Sequence, residues 1–124
     1  MKQTALIEVE TCYWLPYCST CVKAQQFLLD HGVRIRQYVN TKEEAVSKTT
    51  LETLAESLGG VVHLFSKRAM KYRSLGLHEK TLTDEEMLSH MLTEYTFIKR
   101  PVMVFSSGEV LAGFSKKQYE VLLK

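Results

Sequence analysis

Residues 5–39, ALIEVETCYWLPYCSTCVKAQQFLLDHGVRIRQYV, decide how this chain folds. The opening segment, residues 5–13, is rich in β-formers. Leu6, Glu8 and Glu10 alternate there with Ile7, Val9 and Thr11, the period of a strand. WLPYCSTC follows, a proline-bearing turn that carries two thiols. Across residues 21–30, Val22, Ala24, Phe27 and Leu28 stand among Gln and Lys as the apolar face of an amphipathic helix. His31-Gly32 closes it, glycine being the favoured residue just past a helix end. Residues 33–39 alternate again and predict a second strand. The reading is β–loop–α–β, with both thiols where the first strand meets the helix.

Working outward, residues 40–95 show one possible strand, residues 61–65. Leu51, Leu54, Ala55 and Leu58 repeat at helical spacing before Gly59-Gly60. Thr83-Asp84-Glu85-Glu86 has the T-x-x-E form of a capping box and leads into Met87, Leu88, Met91 and Leu92. Arg100-Pro101 then precedes the apolar strand VMVF. Ser106-Ser107-Gly108-Glu109 predicts a hairpin turn, and residues 110–112 return as its partner. Ser115 caps a last helix, residues 116–123, with Gln118 at its third position. The order β-α-β, helical block, β-β-α is that of an α/β fold. No repeat, linker or low-complexity tract divides it, so one domain is expected over residues 1–124, with a helical insertion at about 45–95.

Composition narrows the function classes. Of 124 residues, 45% are hydrophobic and 24% charged, the ordinary globular balance, which argues against a disordered, collagen-like or coiled-coil chain. Lys and Arg number 16 against 14 Asp and Glu; a net charge of +2 is low for a nucleic-acid coat. No apolar run is long enough to span a membrane, and MKQTALIEVET lacks the apolar core of a signal peptide. The expectation is a cytoplasmic monomer that binds neither nucleic acid nor membrane.

The cysteines are Cys12, Cys18 and Cys21. An odd number without an export signal argues against a disulfide framework. Zinc needs about four ligands, and His31, His63, His78 and His90 are scattered without ligand spacing, so no metal is expected. Redox chemistry fits better. A thiol at a helix start faces unpaired backbone N–H groups and the positive end of the helix dipole, both of which favour thiolate. Cys18 has that place. Cys21 lies about one turn on, a spacing compatible with a disulfide, which makes Cys18 the nucleophile and Cys21 the resolver. Cys12, on the first strand, reads as a buried core thiol, the alternative being a third redox thiol. Trp14 and Tyr17 either line a site or simply pack. Lys67, Arg68, Lys71 and Arg73 read as a solvated basic face. Met87 and Met91 read as core.

Four ordered motifs carry a family resemblance. Tyr13-Trp14-Leu15-Pro16-Tyr17-Cys18-Ser19-Thr20-Cys21-Val22-Lys23-Ala24 resembles the Y-x-N-P-x-C-x-T-x-R/K-x-A block of the glutaredoxin-like arsenate reductase (ArsC) family. Lys67-Arg68 with Tyr72-Arg73-Ser74-Leu75-Gly76-Leu77 resembles its next block. Phe97-Ile98-Lys99-Arg100-Pro101-Val102 resembles its L-I-x-R-P-I stretch, and Val110-Leu111-Ala112-Gly113-Phe114-Ser115 its closing V-x-x-G-F-S. The resemblance implies a thioredoxin-like fold, a mixed four-stranded sheet flanked by helices, with the helical insertion between the second and third strands. It also implies a cis peptide before Pro101, beside the nucleophile.

What it implies chemically is arsenate reduction. A thiolate approaches a doubly charged oxyanion only if the charge is neutralised, and arginine's planar fork does this best. Cys18 and Cys21 fall on catalytic positions; Arg68, Arg100, Ser19, Thr20 and Pro101 fall on substrate-binding ones. No tightly bound cofactor is implied; glutathione with glutaredoxin, or thioredoxin, supplies electrons. Three departures stand out. Leu15 replaces the family's Asn, Cys21 replaces a Ser of glutathione-dependent members, and an arginine of some members falls near Gly113 and is missing. The phosphatase-like C-x5-R class is excluded, because Cys18, Ala24 and Phe27 stand six residues after the three cysteines. Two rival readings come with the superfamily, which also includes YffB-type members. One is an Spx-like redox regulator that binds the RNA polymerase α subunit. The other is a glutathione-dependent thiol reductase that does not use arsenate.

Overall fold

The computed structural model describes residues 7–123. In chain order the α and β elements are β1 (Glu8–Trp14), α1 (Ser19–Asp30), β2 (Arg34–Ile35), β3 (Tyr38–Asn40), α2 (Lys48–Ser57), α3 (Met70–Ser74), α4 (Asp84–Thr93), β4 (Val102–Phe105), β5 (Val110–Ala112) and α5 (Lys116–Leu123). The chain forms two compact units. One joins the residues up to Asn40 with those from Arg100 onward; the other is Thr41–Lys99.

The first unit is a mixed sheet flanked by helices. β1 is central, parallel to β2 and β3 on one side and antiparallel to β4 on the other, with β5 beyond β4. The expected first strand is found, extended to Trp14; its predicted start at Ala5 and Leu6 lies outside the described residues. The hairpin closes as read, with Gly108 N–H donating to Phe105 O at 2.8 Å and Phe105 N–H to Glu109 O at 2.9 Å. Gly108 takes a φ of 97°, a value that favours glycine in such a turn. Ser115 caps α5, its Oγ accepting from Gln118 N–H at 3.3 Å.

One expected element is corrected. Residues 33–39 do not form a single strand but two short ones, β2 and β3. Both keep one register against β1, from Glu8↔Arg34 through Trp14↔Asn40, so they occupy one position in the sheet. The break lies opposite the part of β1 where its register with β4 shifts, between Val9 and Thr11. A bulge there bends β1 and interrupts the ladder on both sides. The predicted four-stranded sheet is therefore four positions filled by five segments.

The core of this unit is Val9, Cys12, Ala24, Leu28, Val33, Met103, Phe105 and Tyr119. Inward residues of β1 and β4 meet the apolar face of α1 there, and α5 adds Tyr119. Burying such side chains supplies about 1.5–3 kcal/mol each. Tyr119 satisfies its hydroxyl by donating to Gly113 O at 3.1 Å.

The second unit is helical. Ser47 caps α2, and Leu51, Leu54 and Ala55 are its buried face. Thr83 and Glu86 form the expected capping box at α4, with Met87, Leu88 and Met91 buried. A second correction falls here. Residues 61–65 are not a strand: Val61–His63 is a 3-10 turn, and Phe65 makes only one antiparallel bridge, with Ile98. Val61, Leu64 and Phe65 are the buried members, a helical spacing that outweighs the β preference of two valines. Phe65 stacks on Phe97 with ring centroids 5.3 Å apart.

Candidate active site

Pro16 sets the start of the site. It cannot donate a backbone hydrogen bond, so β1 gives way to a turn in which Cys18 N–H donates to Leu15 O at 3.1 Å. Leu15 is buried and anchors that turn. Cys18 becomes the N-cap of α1, with extended backbone (φ −84°, ψ 120°). Its carbonyl accepts from Val22 N–H at 3.0 Å, the first turn of the helix. The helix starts at Ser19, two residues earlier than periodicity alone suggested.

All three cysteines are free thiols: Cys12 and Cys21 buried, Cys18 partly exposed. Burial pushes the Cys18 thiol up, but other influences outweigh it and its pKa is lowered from the ordinary 9.0. The Cys21 backbone N–H, the Cys21 thiol and the Arg100 guanidinium each interact with its sulfur and favour the thiolate. No side-chain cap bond of full geometry forms, so the Cys21 N–H acts through proximity and charge. The first turn of α1 holds no acidic residue to compete.

Cys21 is the opposite case. Burial, and then its role as donor to Cys18, push its thiol up to about 12. The two neighbouring thiols are thus driven apart, the thiolate being favoured at Cys18 and the protonated thiol at Cys21. Cys12 is driven further up by burial and then by Cys21, as befits a core thiol.

Of the expected site residues, Cys18, Ser19, Thr20, Cys21, Arg100 and Pro101 all belong to the first unit. The Arg100 guanidinium acts on the Cys18 sulfur by hydrogen bonding and by charge, both of which favour the thiolate. The Arg100–Pro101 peptide is cis, as the resemblance implies, and Pro101 is fully buried. Ser19 is exposed and Thr20 partly buried, side by side in the first turn of α1. Arg68 belongs to the second unit and is exposed, its backbone N–H donating to Ser66 Oγ at 3.3 Å.

Periodicity places Tyr38 on a strand and says nothing more. The parallel register puts it beside Cys12, with its ring 4.6 Å from Trp14 and its hydroxyl accepting from Gln25 Nε2 at 2.8 Å. Trp14 therefore packs, whereas Tyr17, next to Cys18 in sequence, is 64% exposed. The signal for the Trp14–Tyr38 pair is the register, which a single sequence does not print.

Compared with known proteins, residues 13–122 match the ArsC family. The chain belongs to the ArsC family. YusI of Bacillus subtilis, an uncharacterised protein, is 37% identical over 114 residues, covering 89% of this chain and 94% of YusI. An arsenate reductase of Escherichia coli is 25% identical over 112 residues, covering 90% of this chain and 79% of that protein. The global transcriptional regulator Spx 1 of Lactococcus lactis is 22% identical over 111 residues, covering 90% and 86%. Among solved structures, an ArsC family related protein from Bacteroides fragilis matches with a TM-score of 0.79 and 27% identity, covering 92% of this chain and 96% of that one. The fold is therefore the thioredoxin-like fold of the ArsC family. Among the described residues no group of three or more His, Cys, Asp or Glu is placed to hold a metal, and no helix is long and apolar enough to cross a membrane.

Proposed function

We propose that this ArsC family member is a thiol oxidoreductase that reduces arsenate through Cys18. The observation that carries the reading is the Cys18 sulfur, whose thiolate form is favoured by Arg100 and the start of α1, with a thiol whose burial keeps it protonated, Cys21, beside it.

In the first step the Cys18 thiolate attacks arsenic(V). A sulfur–arsenic bond forms and an arsenate oxygen leaves as water after protonation. Arg100 offsets the charge of the oxyanion, and the N–H groups at the start of α1 add to the attraction. In the second step a thiol, Cys21 or glutathione, attacks the Cys18 sulfur. The sulfur–arsenic bond breaks and its electron pair stays on arsenic, which departs as arsenite. Two thiols have become one disulfide and arsenic has gained two electrons. Glutaredoxin or thioredoxin then reduces the disulfide. Arg68 is a second proposed anion-binding residue, on the family resemblance.

The test is arsenate-dependent NADPH oxidation coupled to glutathione and glutaredoxin, or to thioredoxin. Turnover should vanish in Cys18→Ser. In Arg100→Ala it should fall about 10²- to 10³-fold, the usual loss when one oxyanion partner is removed. If Cys21 resolves the adduct, Cys21→Ser stalls the thioredoxin-coupled cycle and leaves any glutathione-coupled one running.

The adjacent, oppositely tuned thiols also support a second reading, an Spx-like switch in which a Cys18–Cys21 disulfide changes partner binding. Absence of turnover with both couples, in protein whose Cys18–Cys21 disulfide still forms, would overturn arsenate reduction. Binding to the RNA polymerase α subunit then separates this switch from a thiol reductase acting on other substrates.

A further inference from the structure

The second unit contains a cavity of about 220 Å³ that the thiol chemistry does not use. Its floor is apolar: Phe65 and Met87, both buried. Its polar lining comprises Lys67, Lys80, Tyr72 and Thr81. All of these residues belong to Thr41–Lys99, so the cavity is a property of that unit alone.

Charge is the informative feature. Lys71, on α3, is neutralised by Glu94 at 2.8 Å. Neither Lys67 nor Lys80 has a carboxylate oxygen within 4.0 Å among the described residues. Glu86, which Lys80 attracts at longer range, is already held by the Thr83 N–H at 2.9 Å. Two lysines without an acidic partner within 4.0 Å therefore belong to the lining of one small recess, beside Tyr72 and Thr81. Tyr72 is steadied by its edge-on approach to Phe65, with centroids 6.2 Å apart.

We propose that this cavity binds a small organic carboxylate with an apolar body. The ammoniums and hydroxyls take the carboxylate, and Phe65 and Met87 take the body. At about 220 Å³ the recess lies below the roughly 300–1,000 Å³ of pockets that hold drug-sized ligands, which suits a small molecule. Free phosphate would leave the apolar floor unused, and the cavity offers no guanidinium fork to grip it from two sides.

The test is a titration of the intact reduced protein at fixed ionic strength, read by amide chemical shifts. The probes are sodium benzoate, neutral benzamide and inorganic phosphate. Benzoate should move the amides of Lys67, Tyr72, Thr81 and Met87 saturably. Lys67→Gln and Lys80→Gln should each raise its Kd about threefold to fivefold, the value of one partly exposed charge contact. Benzamide and phosphate should each bind at least fivefold more weakly. Equal binding of benzamide would remove the charge argument, and equal binding of phosphate the apolar one. Non-saturating shifts spread over Arg68, Lys71 and Arg73 would reduce the effect to general attraction and overturn the proposal. The readout is binding, so it stands or falls apart from turnover at Cys18.

Discussion

Cys18 and Cys21 are the same residue type three positions apart, yet their surroundings drive them in opposite directions. Cys18 receives an N–H, a thiol and a guanidinium, which together outweigh burial; Cys21 is buried and gives its proton toward Cys18. The sign of the pH dependence follows. A lowered pKa means more thiolate at a given pH, so Cys18 reactivity climbs as pH rises through a midpoint below the ordinary 9.0 and is flat above it. Iodoacetamide labelling from about pH 5 to about pH 10, read by mass spectrometry, should show this. Arg100→Ala should move the midpoint upward and slow labelling at neutral pH. Cys21, pushed up to about 12, should stay unlabelled there. A Cys18 midpoint at or above that of a free thiol would contradict the charge arrangement described. The two thiols were legible in the sequence, because C-x-x-C at a strand–helix junction has a local physical meaning. Arg100 was legible only through the family motif, since nothing local ties it to a distant cysteine.

Among the elements, those with local signals form as read. Thr83 and Glu86 close their capping box with hydrogen bonds of 3.1 and 2.9 Å. Thr83→Ala should cost about 1 kcal/mol, measured as a lower urea midpoint with unchanged slope. Helix α1 depends on packing as well as on its ends. Leu28 is fully buried in the core of the first unit. Leu28→Ala should destabilise by about 2–5 kcal/mol, because it removes apolar contact and leaves a cavity. A cost under 1 kcal/mol in urea unfolding would mean that the site collapses around the smaller side chain. The elements misread were those without a local determinant. Residues 33–39 alternate well enough for one strand, but the bulge that splits them lies in β1, their neighbour in space. Residues 61–65 open with two β-branched valines, but Gly59-Gly60 ends α2 and the burial pattern beyond it is helical.

At the scale of the molecule, the central strand takes its partners from both ends of the chain. β1 pairs with β2 and β3 soon after it in sequence, and with β4 only after the chain has passed through Thr41–Lys99. The pairing of Val9 with Phe105 closes a very long loop, a topology that folds slowly. β1 and β4 are flanked on both sides, whereas β5 is an edge. Amide exchange should be slowest at Cys12, Tyr13 and Met103 and faster along β5. Equal protection at Leu111 and Met103 would contradict that order.

The sequence by itself determined the order of elements, the capped helix ends, the hairpin and the position of Cys18 at a helix start. Each depends on residues a few positions apart, where spacing, glycine, proline and capping side chains act directly. Only the tertiary structure decided which groups meet from afar: Arg100 at the Cys18 sulfur, Tyr38 against Trp14, and two unneutralised lysines around one recess. Those meetings depend on strand register and on burial, which arise when distant segments pack together and which no stretch of sequence carries alone.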